Sequence, residues 1–243
     1  MEIFSLNEIV KTSQCDFNSK MSIPSAFATV MDIATIHGKK MNVSADDLAK
    51  KGVFWVVART RLKFYDRPIM NTEVTVTTWP KKPELVRCHR FCTISQNDKV
   101  LIEAKTEWTM LSKETGKISK ISVGYADNIE HSEEVLLDGF LDKVTDDFAD
   151  CDRIFNHVVK CADVDLSSHM NNVAYVRALF NAFSTEELKK LNVTEIEATY
   201  KSQCYEGETL TVKLKNAPNG IIAVMQKGET VCFTARLICN PIL

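Results

Sequence analysis

A short polar stretch at residues 163–172 carries the residue types that could do chemistry in this chain. It combines carboxylates, hydroxyls, an imidazole and carboxamides: Asp163, Asp165, Ser167, Ser168, His169, Asn171 and Asn172. Apolar residues then recur at helical spacing, at Val173, Val176, Leu179, Phe180 and Phe183. The first amides of a helix lack internal partners and lie at the positive end of its dipole, so the stretch could polarise a carbonyl or bind an anion.

His169 is the residue of this stretch that helix capping does not explain. Asp, Ser and Asn before an apolar run are ordinary capping and turn residues that require no chemistry. Capping does not require an imidazole, however, and Asp165 stands four residues earlier, where we expect it to pair with the histidine and orient it for acid or base catalysis. The residues alone leave capping and an active site both open.

The stretch resembles a motif of the acyl-ACP thioesterases, which release free fatty acids from acyl carrier protein (ACP). Residues 165–175, DLSSHMNNVAY, are similar to the family pattern Asp-x-Asn-x-His-Val-Asn-Asn-x-x-Tyr. Upstream, FWVVAR at 54–59 and NTEVTVTTWP at 71–80 resemble the first half of the family pattern, and YKSQC at 200–204 takes the place of Tyr-Arg-Arg-Glu-Cys. The resemblance covers nearly the whole chain.

This resemblance implies an α+β tandem hotdog fold, in which each half wraps an antiparallel sheet round a long central helix. It also implies hydrolysis of a thioester by water. The implied catalytic residues are Asp165, Ser167, His169 and Gln203, with Asn171, Asn172 and Cys204 as further candidates. We expect amides near Met170 to Asn172 to hold the oxyanion, where one donor is typically worth about a hundredfold in rate. No cofactor is implied.

Two site positions depart from the family pattern. Ser167 stands where the family has asparagine, and Gln203 stands where it has glutamate. A neutral amide can orient a water molecule but cannot accept its proton, so Asp165 or His169 must be the base. Cys204 invites a covalent hypothesis in which His169 activates its thiol, although a cysteine in an apolar strand is more often a packing residue.

Composition excludes several other classes of protein. The chain has 243 residues, a net charge of -2, 26% charged residues and 45% hydrophobic residues, which excludes a generally basic nucleic-acid-binding protein. No apolar run approaches the roughly 18 residues that span a bilayer, and the N-terminus has acids rather than a basic head. We therefore expect no membrane insertion and a cytoplasmic protein. The 8 cysteines show no paired-ligand spacing, so we assign no metal.

The order of predicted elements indicates two similar halves. A helix begins at Ser22 and ends at Gly38, and strands follow at 53–65, 73–79, 85–95 and 100–111. The second half has a strand at 154–161, a helix at 170–183, a short capped turn at 185–191 and strands at 193–205, 209–214, 221–226 and 230–239. The segment 118–150 has mixed periodicity, and we expect it to be a partly helical connection. We predict an N-terminal half at 1–130, a connector at 131–150 and a C-terminal half at 151–243.

Similar residues in the two halves support a duplication. Residues 62–66 and 73–76 match 200–206 and 208–212, with a shorter turn in the second half. The first helix is preceded by Asp16, Asn18, Lys20 and Ser22, which lack the imidazole that precedes the second helix. We expect the first half to bind the acyl chain and the second half to react with it. The expected acyl-binding residues lie on the first helix at Ile23, Phe27, Val30 and Met31.

The expected partner is acyl carrier protein bearing a fatty acyl chain. The carrier is acidic, so we expect a basic entrance, for which the candidates are Lys81, Lys82, Arg87 and Arg90 and, separately, Arg59, Arg61, Lys63 and Arg177. An acyl-CoA thioesterase is the close enzymatic alternative, a hotdog dehydratase fits less well, and a non-catalytic acyl-thioester-binding protein is the alternative without chemistry. The sequence leaves open the preferred chain length and whether the chain forms a homodimer.

Overall fold

The structure, a computed structural model, describes residues 3–125 and 129–240 of the chain. Met1 and Glu2 of the N-terminal segment, residues 126–128 of the first predicted half and the last three residues lie outside the described residues. The chain divides into two compact units, Met1–Asp138 and Gly139–Leu243. The division falls within the predicted connector 131–150, and the bounds of the predicted halves stay predictions.

The first unit is an antiparallel sheet with one long helix. Its elements are β1 (Phe4–Ile9), α1 (Ile23–Lys40), α2 (Ala45–Ala49), β2 (Val53–Phe64), β3 (Glu73–Pro80), β4 (Cys88–Gln96), β5 (Lys99–Ser112) and β6 (Ile118–Ser119). The strands pair in the order β1, β3, β4, β5, β2, and β6 pairs with the end of β5. The apolar face of α1 needs a sheet to cover it, and α1 contacts β3.

The second unit repeats this plan with a shorter main helix. Its elements are β7 (Arg153–Val158), α3 (Asn172–Phe180), α4 (Thr185–Lys190), β8 (Glu195–Tyr200), β9 (Thr209–Ala217), β10 (Gly220–Lys227) and β11 (Thr230–Ile238). The strands pair in the order β8, β11, β10, β9, β7, all antiparallel. Tyr175 of α3 stacks on Phe233 of β11, with ring centroids 5.4 Å apart, so the helix packs on its own sheet. The predicted α+β class is confirmed in both units.

Helix α1 begins after its predicted capping residue, and both α1 and α3 differ in length from the predictions. The Ser22 hydroxyl accepts a hydrogen bond from the Ser25 amide at 3.2 Å, and α1 continues past Gly38 to Lys40. The predicted helix 170–183 is too long. The Met170 amide binds a carbonyl outside the helix, and Ser184 caps the separate helix α4. No helix in the described ranges is long and apolar enough to cross a membrane.

Two segments differ from the sequence prediction for physical reasons. Strand β1 is not predicted, because its apolar alternation is short and ends at the consecutive polar residues Asn7 and Glu8. In the structure, Phe4 is buried and the next three residues are exposed. In the described residues of 118–150, the predicted helical content is limited to a 3-10 turn at Ile121–Val123, and residues 131–150 contain no helix. Asp146 accepts a hydrogen bond from the Phe148 amide at 2.7 Å, and such local bonds compete with helix formation.

Matching hydrogen bonds reveal the duplication between the units. Asn7 on β1 accepts a bond from the Thr75 hydroxyl on β3 at 3.0 Å, and Asn156 on β7 is paired with Thr211 on β9 at 3.3 Å. The match continues through the turn before β3 and β9. In the first unit, the Val10 amide donates to the Thr72 carbonyl (3.0 Å) and the Asn71 amide to the Val10 carbonyl (2.9 Å). In the second unit, the Val159 amide donates to the Glu208 carbonyl (2.9 Å) and the Gly207 amide to the Val159 carbonyl (2.9 Å). The two turns align without a gap, which corrects the expected shorter turn.

Gly220 at the start of β10 provides a test of this packing. Its φ is +143°, and a Cβ there would lie 2.0 Å from the Leu237 carbonyl oxygen. We expect Gly220→Ala to lower the free energy of unfolding by about 3 kcal/mol, from backbone strain and overlap. The matched control is Gly228→Ala, where φ is +55° and no atom lies within 4 Å, and which should cost about 1 kcal/mol. Urea unfolding measures both, and equal losses would contradict the close approach at Gly220.

Candidate active site

The polar stretch of the second unit forms a tight loop before α3. The Asp165 amide donates to the His169 carbonyl at 3.1 Å, and the Ser168 amide donates to the Asp165 carbonyl at 2.9 Å. The Asp165 carboxylate accepts a bond from the Ser167 amide at 2.8 Å, and Ser168 has a φ of +63°. These bonds fix the backbone, so that Asp165 and His169 occupy defined positions.

One backbone hydrogen bond brings the second predicted motif to this loop. The Met170 amide donates to the Cys204 carbonyl at 2.7 Å, which places Gln203 and Cys204 beside His169 although they are far apart in sequence. Asn171 then caps α3, since its side chain accepts a bond from the Val173 amide at 2.8 Å. The structure therefore brings together the predicted catalytic stretch and the predicted segment 200–204.

The first unit contains the same loop with different side chains. The Asp16 amide donates to the Lys20 carbonyl at 2.9 Å, and the Ser19 amide donates to the Asp16 carbonyl at 3.0 Å. The Met21 amide donates to the Pro68 carbonyl at 2.8 Å, as Met170 does to Cys204. In this frame Asp16 corresponds to Asp165, Lys20 to His169, Asp66 to Ser202 and Arg67 to Gln203.

Ion pairs close the loop of the first unit. Lys20 Nζ lies 2.5 Å from Asp66, and Arg67 pairs with Asp16. Each of these pairs joins a loop residue to the segment that the backbone bond holds beside it. The charges of the loop residues Asp16 and Lys20 are therefore neutralised by the segment beside the loop.

The second unit lacks both ion pairs at the corresponding positions. Among the described residues, neither Asp165 nor His169 forms an ion pair, and their side chains share no hydrogen bond, which corrects the expected pairing of the two. Asp165 instead bonds to its own loop, and His169 Nδ1 lies 3.4 Å from the Met170 carbonyl. The carboxylate and the imidazole keep unused bonding capacity, which a reacting group could use.

Gln203 is exposed and faces a polar cluster. Its side-chain oxygen accepts a bond from the Tyr205 hydroxyl at 3.0 Å, and its carbonyl accepts one from Lys227 at 3.2 Å. Lys227 also pairs with Glu208 at 2.9 Å and holds the pKa of that carboxyl below its usual range. Gln203 is thus held by neighbours that could also orient its amide.

The expected oxyanion donors need a correction. The Met170 amide is used by Cys204, and the Asn171 amide donates to the Asp163 carbonyl at 2.8 Å. Of the three expected donors, the amide of Asn172 is the one without an acceptor in the part of the chain that the structure describes. The oxyanion, if held here by the helix, must therefore be held by Asn172.

Sequence reasoning missed a second histidine near the loop. His157 Nε2 on β7 lies 3.2 Å from the Asp163 carboxylate, whose side chain also accepts a bond from the Lys160 amide at 3.1 Å. Since the Asp163 carbonyl binds the Asn171 amide, the pair supports the start of α3. Glu8 holds the place of His157 in the first unit, so the duplication gives no signal for this histidine.

The predicted acyl-binding residues lie on α1 as expected, but their role stays a prediction. Ile23, Phe27 and Val30 are buried, and Met31 is partly buried. A cavity of about 490 Å³ lies at the other end of α1, where His37, Lys40 and Met41 line it and none of the four acyl-binding candidates does.

Arg90 is misplaced in the predicted basic entrance. Its side chain is buried, donating to Thr78 at 3.3 Å and lying 2.9 Å from His37 Nδ1, and burial lowers its pKa. The neighbouring Arg87 is 59% exposed, so it stays a candidate. Arg90 lies in β4 and Arg87 precedes it, and the sequence does not show which face of the strand is buried.

One group of acids could offer oxygen ligands to a cation. Asp146, Asp147 and Asp150 place carboxylate oxygens within 4.8 Å of one another. Lys215 already binds Asp146 at 2.9 Å and Asp150 at 2.5 Å, and it lowers the pKa of both carboxyls. The ammonium supplies the positive charge that a cation would bring.

Comparison with known proteins gives the relatives of the chain. Residues 2–129 match the sequence model of the acyl-ACP thioesterase N-terminal domain, and residues 147–238 match that of the C-terminal domain. The chain belongs to the acyl-ACP thioesterase family. A chloroplastic palmitoyl-acyl carrier protein thioesterase from Gossypium hirsutum is 22% identical over 236 residues, which covers 90% of this chain and 57% of that relative's length.

Two solved thioesterase structures share the fold of this acyl-ACP thioesterase family member. An acyl-ACP thioesterase from Bacteroides thetaiotaomicron superposes with a TM-score of 0.88 at 17% identity, over 98% of both chains. The 12:0-ACP thioesterase from Umbellularia californica superposes with a TM-score of 0.83 at 17% identity, over 99% of this chain and 98% of that one. At such identity the likeness shows the fold, and it confirms the tandem hotdog.

Cys204 lies inside the site of this family member but is poorly suited to attack a thioester. Its side chain is fully buried, and burial raises its pKa to about 12. The thiolate is the nucleophilic form, so at neutral pH the thiol stays protonated and unreactive. The geometry favours packing over the covalent hypothesis.

Alkylation tests this difference between cysteines. We expect iodoacetamide at pH 7.5 to modify the exposed Cys161 of the native chain and to leave Cys204 unmodified until the chain is unfolded. Mass spectrometry of peptides from native and urea-treated protein measures both sites. Labelling of Cys204 as fast as Cys161 would restore the nucleophile hypothesis.

Proposed function

We propose that the chain is a thioesterase that hydrolyses fatty acyl-ACP to a free fatty acid and carrier protein, in fatty acid biosynthesis. Membership of the family supports this, and so does one structural contrast. In the first unit, the ion pairs Lys20–Asp66 and Arg67–Asp16 close the loop before α1. The corresponding loop of the second unit carries His169 and Asp165 beside Gln203, and neither forms an ion pair with any residue that the structure describes.

The shorter side chains of the second unit support a role for water. The glutamine side chain is shorter than arginine by two heavy atoms, about 2–3 Å, which is close to the diameter of one water molecule. A water placed between Asp165 and Gln203 would be oriented by the carboxamide, which cannot take its proton. His169 or Asp165 is therefore the base, and His169 orients or deprotonates the attacking water.

The rest of the reaction follows from the start of α3. The attacked carbonyl becomes an oxyanion, for which the Asn172 amide is the donor that the helix can offer. Ser167, exposed on the loop, offers a hydroxyl where an asparagine is expected, and Asn171 keeps its capping role. The acyl chain lies along α1, with Ile23, Phe27, Val30 and Met31 as its proposed contacts.

The carrier partner and the compartment belong to the proposal. The exposed Arg87 and Lys82 and the half-buried Lys81 suit an acidic carrier, whereas the buried Arg90 does not contribute. We keep cytoplasmic residence as part of the proposal, although the named plant relative is chloroplastic. Whether the chain forms a homodimer stays open.

Replacing the proposed catalytic pair provides the main test. We expect His169→Ala and Asp165→Asn each to lower kcat on acyl-ACP by about a hundredfold or more, because general-base assistance is worth that much. The matched controls are Lys20→Ala and Asp16→Asn, at the corresponding positions of the first loop, which should change kcat by less than threefold. Released fatty acid measures turnover, circular dichroism checks folding, and turnover of the site variants within twofold of wild type would overturn the assignment.

Gln203→Glu tests the departure from the family pattern. A carboxylate at this position could accept the proton that the carboxamide cannot, so we expect kcat to rise by about tenfold or more. Gln203→Met, which has similar length and no polar group, should lower kcat because it no longer orients water. A rate unchanged in both variants would show that hydrolysis does not use position 203.

A panel of acyl thioesters separates the alternatives. Comparison of kcat/KM on acyl-ACP and acyl-CoA of the same chain length distinguishes the proposed enzyme from an acyl-CoA thioesterase. The neutral Gln203 favours one further alternative, a protein that binds acyl thioesters without cleaving them. That alternative predicts binding of acyl-ACP with no release of fatty acid at any chain length.

A further inference from the structure

We propose that Ser202 is a positioning residue whose hydroxyl orients the imidazole of His169. This inference rests on the proposed function for its catalytic meaning. Its structural part stands separately, on the matching geometry of the two units. The segment 200–204 was expected to contribute Gln203 and Cys204, and Ser202 has no assigned role.

Backbone bonds place Ser202 as they place Asp66 in the first unit. The amides of Tyr65 and Asp66 both donate to the Leu101 carbonyl, at 2.9 Å and 3.3 Å. The amides of Lys201 and Ser202 both donate to the Cys232 carbonyl, at 2.8 Å and 3.2 Å. A shared acceptor with nearly the same distances gives the two segments the same path beside the loop.

In the first unit, this path directs one side chain at the loop residue that matches His169. Asp66 Oδ1 lies 2.5 Å from Lys20 Nζ, so the side chains of these two residues meet. The loops have the same internal hydrogen bonds and the same anchor, Met21 to Pro68 at 2.8 Å and Met170 to Cys204 at 2.7 Å. The side chain of Ser202 is therefore directed at that of His169.

The difference in side-chain length defines how the two groups interact. Histidine and serine together are about two heavy atoms shorter than lysine and aspartate, which corresponds to about 2–3 Å and to one water molecule. The Ser202 hydroxyl reaches the imidazole through one bridging water. A hydroxyl both donates and accepts, so it can hold either tautomer of the ring.

A second anchor holds Ser202 in this unit alone. The Tyr175 hydroxyl donates to the Ser202 carbonyl at 3.2 Å, and Tyr175 is buried against Phe233. The corresponding residue of α1 is Ala26, which has no hydroxyl to donate. The extra bond restrains Ser202 in the unit that has the histidine, as the orientation of a catalytic group requires.

Turnover tests the catalytic part of the proposal. We expect Ser202→Ala to lower kcat on acyl-ACP about tenfold with KM within twofold, because the substrate does not touch the hydroxyl. Ser202→Thr, which keeps the hydroxyl, should restore kcat to within threefold of wild type. Loss of activity in both variants, or in neither, would overturn the positioning role.

A titration followed by NMR tests the placement without measuring turnover. In Ser202→Asp, the new carboxylate would favour the charged imidazole, so the titration midpoint of the His169 ring should move to higher pH by about one unit. Asp165 on the same loop is present in wild type and in the variant, so its effect on the His169 midpoint is the same in both. Ser184→Asp is the control, since it adds the same charge at the exposed cap of α4.

The two experiments separate the two ideas. An unmoved His169 midpoint in Ser202→Asp, or an equal shift in Ser184→Asp, would overturn the placement of Ser202. A wild-type chain that cleaves no acyl thioester would contradict the proposed function, while the NMR comparison would still decide whether Ser202 faces His169.

Discussion

The hydrogen bond from the Met170 amide to the Cys204 carbonyl is the interaction on which the candidate site depends. It joins the polar loop before α3 to the segment after β8, and its length is 2.7 Å. Both groups belong to the backbone, so substitutions at neighbouring positions leave the bond in place. One such bond contributes only about 0.5–1.5 kcal/mol, but it fixes which side chains face each other. The frame is therefore insensitive to sequence, and the chemistry is set by the side chains on it.

The two units use this freedom in opposite ways. In the first unit, Lys20 and Asp66 form an ion pair whose side chains are 34% and 53% exposed. Such exposed pairs contribute only about 0–1 kcal/mol to stability, so replacing the pair costs the fold little. The second unit can then carry an imidazole and a hydroxyl at the same two positions. A duplicated fold thus permits one loop to remain a structural connection while its copy carries the groups that we propose to react.

Sequence predicted the strands better than the contacts of the site. The β-branched and aromatic runs located β2 to β5 and β8 to β11 to within a few residues at most ends, because each strand buries apolar side chains in the core. The sequence prediction failed at β1, where the polar residues Asn7 and Glu8 interrupt a short alternation. It also failed at Arg90, whose burial depends on the tertiary packing of His37. The polar stretch was recognised from its letters, but the use of the Met170 and Asn171 amides by distant carbonyls has no local signature.

The neutral residue at position 203 limits how the site can work. In the first unit, Arg67 offsets the charge of Asp16, whereas Gln203 leaves Asp165 as a negative charge with no counter-ion among the described residues. A second carboxylate at position 203 would face Asp165 and repel it, and one of the two would then tend to hold a proton. The glutamine avoids this repulsion but supplies no base. Under the proposed hydrolysis, the proton of the attacking water goes to Asp165 or His169, so the orientation of the imidazole is what the surrounding residues have to control.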